Sequence, residues 1–96
     1  MKKSMFFLPL PLLALFVSAP VFAATLQNTD QQAYELEIQE PGQSYSRHYR
    51  IIENSQVELC FFGCEMTLLS AGQTVTVNPK DAVVIDSGVM NVTSGD

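Results

Sequence analysis

Polar and apolar residues alternate with a period of two along most of the chain beyond residue 32, and no segment there follows the period of a helix. Such alternation predicts β-strands that bury one face. In the first of them Tyr34, Leu36 and Ile38 alternate with acidic or amide side chains, and a Pro-Gly pair follows as a turn. On this basis strands are predicted at residues 33–39, 44–53, 56–61, 64–69, 74–78, 82–86 and 89–92.

The turns between these segments recur at intervals of roughly ten residues, which is typical of a β-sandwich or a small barrel. We therefore predict an all-β domain over residues 33–92, built as a small antiparallel β-sandwich or a barrel-like meander of six to seven short strands. Residues 24–32 are mostly polar and are predicted to form a flexible lead-in, with at most a short edge strand at residues 25–26. Residues 93–96 are predicted to be a frayed C-terminus.

The N-terminus has the three-part layout of a secretory signal peptide. Lysines at positions 2 and 3 precede an apolar run over residues 5–17, and small and polar residues follow it. A membrane anchor is the alternative, but this run of 13 residues contains two prolines and is shorter than the roughly twenty residues that span a bilayer. We therefore predict that residues 1–23 form a helical signal peptide.

The end of this segment predicts where it is removed. Val21 and Ala23 occupy the two positions before the cut at which signal peptidase requires small side chains. We predict cleavage between Ala23 and Ala24, with a cut one residue later as the alternative. The mature protein is then periplasmic or secreted, has no membrane span, and carries no lipid anchor because position 24 is not a cysteine.

Removal of the signal peptide changes the charge of the product. The remaining 73 residues hold three basic residues, Arg47, Arg50 and Lys80, and all 10 acidic residues, so the formal charge falls from -5 to -7. Nucleic acids and anionic membrane surfaces both attract dense positive charge, so neither is expected as a partner. A chain of this size builds one small core, which a covalent cross-link would help to stabilise.

The cysteine motif Cys60-Phe61-Phe62-Gly63-Cys64 is the segment with the clearest chemistry. In an oxidising compartment two such cysteines are expected to form a disulfide. We predict a hairpin turn at Phe61, Phe62 and Gly63, with the glycine in the left-handed conformation and the cysteines facing each other across strands 56–61 and 64–69. The closed loop is short, so its chain-entropy contribution is at most about 2 kcal/mol.

This hairpin has a register conflict. Pairing the two cysteines sets Leu59 opposite Glu65, whereas the apolar pattern favours Leu59 opposite Met66. One extra residue in either strand would reconcile the two registers. We therefore predict a β-bulge near Glu58 and Leu59 or near Glu65.

Two other chemistries compete with a structural disulfide. A thioredoxin-like site has two residues between its cysteines at the start of a helix, whereas Cys60 and Cys64 are separated by three in a β context. Copper(I) could be held by these cysteines with His48 and Met66 or Met90, a set of soft ligands. With one histidine in the chain, we expect no cofactor and no metal site, and keep thiol-redox or copper(I) handling as the alternative function.

Two features suggest contact with a partner. Arg47, His48 and Arg50 form the one locally basic stretch of an acidic domain, and they either bind an acidic partner or pair with nearby glutamates. Phe61 and Phe62 are adjacent, so in a strand they would point to opposite faces and leave one exposed, with Phe62 as the candidate. No framed catalytic motif accompanies these residues, and we do not expect an enzyme.

The chain also resembles short exported proteins of alphaproteobacteria with a Cys-x-x-Gly-Cys hairpin. The resemblance covers roughly residues 48–92 and is carried by apolar alternation on either side of the cysteine motif, namely Val57, Leu59, Cys60, Gly63, Cys64, Met66, Leu68, Val83, Ile85 and Gly88. It implies a small periplasmic β domain and brings no activity or site residue with it. We therefore expect a non-catalytic periplasmic or secreted domain that acts as an envelope binding or accessory module.

Overall fold

The computed structural model describes residues 23–95, so the predicted signal peptide, apart from Ala23, and Asp96 lie outside the described residues. The described part is all-β, as predicted, and contains eight strands rather than six or seven. These strands are β1 (Ala24–Asn28), β2 (Tyr34–Gln39), β3 (Arg47–Ile51), β4 (Ser55–Leu59), β5 (Cys64–Leu68), β6 (Gln73–Val77), β7 (Ala82–Asp86) and β8 (Val89–Thr93). Among residues 23–95, no helix is long and apolar enough to cross a membrane.

The strands form two four-stranded sheets that pack as a sandwich. One sheet has the order β4-β1-β7-β8 and is called sheet A here; the other has the order β3-β2-β5-β6 and is called sheet B. All neighbouring strands are antiparallel except β1 and β7, which are parallel. The fold is therefore a sandwich and not a meander, because the chain crosses between the sheets after β1, β3, β4 and β6.

Strand β1 corrects the prediction of a lead-in over residues 24–32. It lies inside sheet A between β4 and β7, not at an edge. Leu26 is fully buried and pairs with Val57 on one side and Val83 on the other. The alternation of residues did not predict this strand, because its other inward residues are a small alanine, Ala24, and a polar residue, Asn28.

The core lies between the sheets and uses the alternation that the sequence displays. Inward residues of both sheets are fully buried, including Leu26, Leu36, Ile38, Ile51, Met66, Leu68, Val77, Val83 and Ile85. Burying a side chain of this size contributes about 1.5–3 kcal/mol to folding, so these residues supply most of the driving force. Most outward residues of the same strands are polar or charged, with Val84 of β7 as an exception, which is the pattern of a sheet with one wet face.

The predicted hairpin of β4 and β5 is wrong. Within residues 23–95, β4 pairs only with β1, and β5 pairs with β2 and β6 in the other sheet. The bulge predicted to reconcile their registers is wrong for the same reason, since the two strands share no ladder. Leu59 lies opposite Ala24 and Met66 lies opposite Ile38 and Val75, so each strand keeps its own apolar face.

The sandwich has two ends with different contents. The end that holds residues 40–46, 60–63 and 78–81 is called the disulfide end here, and β1 begins and β8 finishes there. The opposite end holds residues 29–33, 52–54, 69–72 and 87–88.

The prediction of a frayed end at residues 93–96 is wrong for Thr93 at this disulfide end, whereas Asp96 lies outside the described residues. Thr93 is part of β8 and pairs with Ala82. The Gly95 N–H then donates a hydrogen bond to the Asp81 carboxylate at 3.4 Å.

Candidate functional site

Residues 60–63 form a tight arch that carries the chain from sheet A to sheet B. Cys60 and Cys64 form the predicted disulfide, with their Cα atoms 5.5 Å apart. The Gly63 N–H donates a hydrogen bond to the Cys60 carbonyl at 3.1 Å, which closes a turn around the two phenylalanines. The arch thus replaces the predicted hairpin turn, and it joins two sheets instead of two paired strands.

Gly63 has the left-handed conformation that the sequence predicted, with φ of +88°. A side chain at this position would also meet the body of the protein, because a Cβ atom placed there would lie 3.2 Å from the Val77 carbonyl oxygen. Cys60 is also left-handed, with φ of 60°. The arch therefore has a fixed shape set by its disulfide, its turn hydrogen bond and its contact with β6.

Both phenylalanines of the arch face solvent. Phe61 is 56% exposed and Phe62 is 82% exposed, whereas Cys60 and Cys64 beneath them are buried. The prediction that adjacent phenylalanines would point to opposite faces assumed a strand. They are instead the two central residues of a turn, so both side chains project away from the core.

A wide depression of about 350 Å³ lies beside Phe62. Its walls come from the connections that hold Glu40, Pro41 and Asn78, and from the start of β5 at Glu65. Its floor includes Gly63, where the missing side chain lets the arch approach Val77. An aromatic side chain at the rim of a mixed polar and apolar depression is typical of a surface that binds another molecule.

Arg47 is the one residue of the predicted basic stretch that lies at this end. It forms an ion pair with Glu40 at 2.5 Å, and Glu40 lines the depression beside Phe62. A smaller depression of about 70 Å³ lies between Glu40, Arg47 and Tyr45, whose side chain is 61% exposed. We call Phe61, Phe62, Glu40, Tyr45 and Arg47 the disulfide-end surface.

His48 and Arg50 are not part of the disulfide-end surface. They lie on the outer face of β3, where His48 is opposite Glu37 and Arg50 is opposite Glu35. The Arg50 guanidinium approaches the Glu35 carboxylate to 3.3 Å. These two residues therefore fit the alternative in which the basic stretch pairs with nearby glutamates, and the structure does not bring them together with Phe62.

Arg47 shares its register with the inward residues of β3, since it pairs with the buried Ile38. Strand β3 is an edge strand of sheet B. A charge that points inward at an edge strand discourages pairing with a strand of another molecule. The position of Arg47 is therefore one at which edge strands commonly carry a charge, and its side chain also belongs to the disulfide-end surface.

The residues considered for copper(I) do not converge. The structure has both cysteines in the disulfide, and within residues 23–95 no other cysteine is present. Met66 and Met90 are buried in different sheets, whereas His48 is exposed on an outer face. In the described part of the chain, no group of three or more His, Cys, Asp or Glu side chains is placed to hold a metal ion.

The opposite end holds a hydrogen-bonded carboxylate, Asp30, that the sequence pattern did not reveal. The Asp30 carboxylate accepts hydrogen bonds from the Ser87 N–H at 2.9 Å, the Gly88 N–H at 3.0 Å and the Tyr34 hydroxyl at 2.5 Å. The Tyr34 hydrogen bond and the two backbone donors hold the pKa of Asp30 below its usual value, and the same bond raises the pKa of Tyr34. Asp30 lies in the β1–β2 connection, and Ser87 and Gly88 form the β7–β8 turn. These hydrogen bonds therefore hold the connection against the turn.

Asn28 is a fully buried polar residue that the pattern did not reveal. Its amide donates to the carbonyls of Gln32 at 2.8 Å and Ile52 at 3.1 Å, and its oxygen accepts the Asp30 N–H at 3.0 Å. It thereby links β1 in sheet A to the end of β3 in sheet B. An inward asparagine in an otherwise polar segment gives no hydrophobic signal, so only the three-dimensional structure reveals it.

Comparisons of the chain with protein-family models, curated proteins and solved structures found no match.

Proposed function

We propose that this protein is a non-catalytic binding module of the cell envelope, periplasmic or secreted, which contacts a partner protein through the disulfide-end surface. The observation that carries the proposal is the exposure of Phe62, 82% of whose side chain faces solvent on an arch of fixed shape. Aromatic and arginine side chains dominate the binding energy of protein interfaces, and this surface presents both.

The rigidity of the arch supports a binding role. A flexible loop loses conformational entropy when it binds, and that loss weakens the complex. Here the disulfide and the turn hydrogen bond of Gly63 restrict the backbone that carries the phenylalanines before any partner arrives. The surface can therefore bury Phe61 and Phe62 against a partner with little further ordering.

The composition of the surface favours a protein partner. Two phenylalanines and a tyrosine supply apolar contact area, while Arg47 and Glu40 form a mixed-charge pair beside them. Apolar contacts surrounded by polar groups are typical of protein interfaces. A net charge of -7 on the mature chain, from three basic and 10 acidic residues, opposes binding to nucleic acid.

Two further observations support the location and the lack of catalysis. A disulfide is compatible with an oxidising compartment, which agrees with the signal peptide predicted from the sequence. The one histidine of the chain lies on an exposed outer face opposite Glu37, and both cysteines are in the disulfide.

The test is an affinity purification from envelope extract with the bait held by the end opposite the arch. β1 begins and β8 ends at the disulfide end, so a tag at either terminus of the mature chain would lie beside the binding surface. The tag is therefore inserted in the turn at residues 69–72, at the opposite end. Phe62→Ala is the test variant, and Ile52→Ala, which alters an apolar residue 57% exposed at the opposite end, is the matched control. We expect wild type and Ile52→Ala to recover the same partner and Phe62→Ala to lose it; equal recovery with all three baits would contradict the proposal.

Intact mass separates this proposal from thiol-redox or copper(I) handling. The protein isolated from cells is alkylated with and without prior reduction, and its metal content is measured. We expect two alkyl groups only after reduction, and no bound copper. Alkylation without reduction, or copper that co-purifies, would favour the thiol or copper function instead.

A further inference from the structure

Strand β1 begins at the residue that follows the predicted signal-peptide cut. Ala24 is its first residue, is fully buried, and pairs with Leu59 of β4. Ala23, on the other side of the bond, is only 3% exposed. The peptide bond that signal peptidase would cut therefore lies at the N-terminal end of a central strand.

The residues after the bond are held from both sides. Thr25 pairs with Glu58 of β4 and with Ala82 of β7, and its N–H donates a hydrogen bond to the Asp81 carbonyl at 3.0 Å. A peptidase needs several residues around the scissile bond in an extended, accessible form. In the folded sandwich the residues after the bond form β1 between β4 and β7, so they are not accessible to a peptidase.

We propose that the bond between Ala23 and Ala24 can be cut only while β1 is outside sheet A, so that removal of the signal peptide precedes completion of the sandwich. In the cut, water adds across the peptide bond: its hydroxyl becomes part of the new Ala23 carboxylate, and its proton goes to the new Ala24 amine. The alternative cut one residue later lies deeper in β1 and is blocked in the same way.

Opening of β1 disrupts sheet A. Among the described strands, β1 is the sole neighbour of β4, so its withdrawal leaves β4 unpaired and also separates β1 from β7. It also exposes Leu26, which is fully buried at the centre of sheet A. An opening that withdraws β1 as far as Leu26 therefore exposes part of the core, and a folded precursor should spend little time in it.

The test uses the full chain of 96 residues and purified bacterial signal peptidase in detergent. One sample is folded and oxidised before the peptidase is added, and a second is unfolded in urea and diluted into peptidase at once. A matched variant carries an alanine and a glycine-serine spacer of about eight residues between Ala23 and Ala24, which reaches roughly 25 Å when extended and keeps both small residues before the cut. Circular dichroism checks that the parent and the spacer variant are equally folded.

We expect the folded parent to be cut at least about tenfold more slowly than the unfolded parent, because cutting follows the small population of open chains. The folded spacer variant should be cut as fast as the unfolded parent, since its site is outside the sheet. A folded parent cut as fast as the spacer variant would overturn the proposal. Failure of all three samples to be cut at Ala23 would overturn it as well, because the site itself would then be absent. The partner-binding proposal does not depend on either outcome.

Discussion

The side-chain amide of Gln73 makes two hydrogen bonds with the backbone of Met90. The amide oxygen accepts the Met90 N–H at 2.8 Å, and the amide nitrogen donates to the Met90 carbonyl at 2.9 Å. Gln73 belongs to β6 at the edge of sheet B, and Met90 belongs to β8 at the edge of sheet A. One side chain thus takes the place of a neighbouring strand and closes this side of the sandwich.

Gln73→Ala should therefore destabilise the domain. Loss of two hydrogen bonds that leaves both backbone groups of Met90 unsatisfied should lower the free energy of unfolding by about 1–3 kcal/mol. Urea denaturation measures this change, and Gln56→Ala, at an exposed position of the edge strand β4, is the control. Hydrogen exchange of the Met90 amide should also become faster. Equal effects of the two substitutions, with unchanged exchange at Met90, would contradict the proposed closure.

Gly63→Ala tests the fixed shape of the arch. A left-handed conformation disfavours alanine by about 1–2 kcal/mol, and the contact of the new Cβ with the Val77 carbonyl should add to that loss. Gly42→Ala is the matched control, because Gly42 has a φ of 78° and nothing within 4 Å of an added Cβ. Gly63→Ala should be the more destabilising of the two in urea denaturation. If both substitutions have the same effect, the arch is not held against β6.

Asp30 should make stability depend on acid pH. Its pKa in the folded protein is lowered by the Tyr34 hydroxyl and by the backbone donors of Ser87 and Gly88, so its contribution is present above the usual aspartate pKa of about 4. That contribution is lost as the pH falls through the lower folded value. Wild type should therefore be more stable than Asp30→Asn at pH 6, and the difference should shrink at pH 2.5.

Urea denaturation at both pH values measures the Asp30 effect. Asp86→Asn, an exposed carboxylate beside the same turn, is the control and should change the free energy of unfolding at pH 6 by less than about 0.5 kcal/mol. If wild type and Asp30→Asn differ in free energy of unfolding by the same amount at both pH values, the charge of Asp30 does not hold the β1–β2 connection against the β7–β8 turn.

Asn28→Asp should show the opposite pH dependence. A carboxylate at this buried position would place a negative charge against the carbonyls of Gln32 and Ile52, which should lower the free energy of unfolding at pH 7 by about 3–5 kcal/mol. Burial and the carbonyls should raise the pKa of the new carboxyl, so the loss relative to wild type should be smaller at pH 4, where the group is protonated. A loss relative to wild type that is equal at both pH values would contradict the buried bridge between the sheets.

The alternation of residues was enough to predict the β class and most strand positions. Tyr34, Leu36 and Ile38 are buried as expected, and β7 has the predicted bounds. Alternation reports which face of a strand is buried, because that depends only on neighbouring residues along the chain. It could not reveal β1, whose inward positions at Ala24 and Asn28 are small or polar.

The pairing of strands could not be predicted from adjacency in the sequence. The conflict between Leu59 and Met66 was resolved by placing β4 and β5 in different sheets, and the misfit was itself a sign that they do not pair. The disulfide and the left-handed Gly63 are as predicted, although the cysteines face each other across the arch and not across two paired strands. Phe62 and Glu40 belong to two separate connections, and Arg47 begins β3, so their convergence emerges only from the fold.

Photo-crosslinking in the cells that make the protein tests the central claim most directly. A photoreactive phenylalanine analogue replaces Phe62 in one strain and Ile52, at the opposite end, in another, and cells are irradiated before lysis. If the disulfide end is the binding surface, the analogue at position 62 should form a crosslinked species of larger mass that contains one partner protein. The analogue at position 52 should form none. No crosslink from position 62, or the same crosslink from both positions, would contradict a binding surface at the disulfide end.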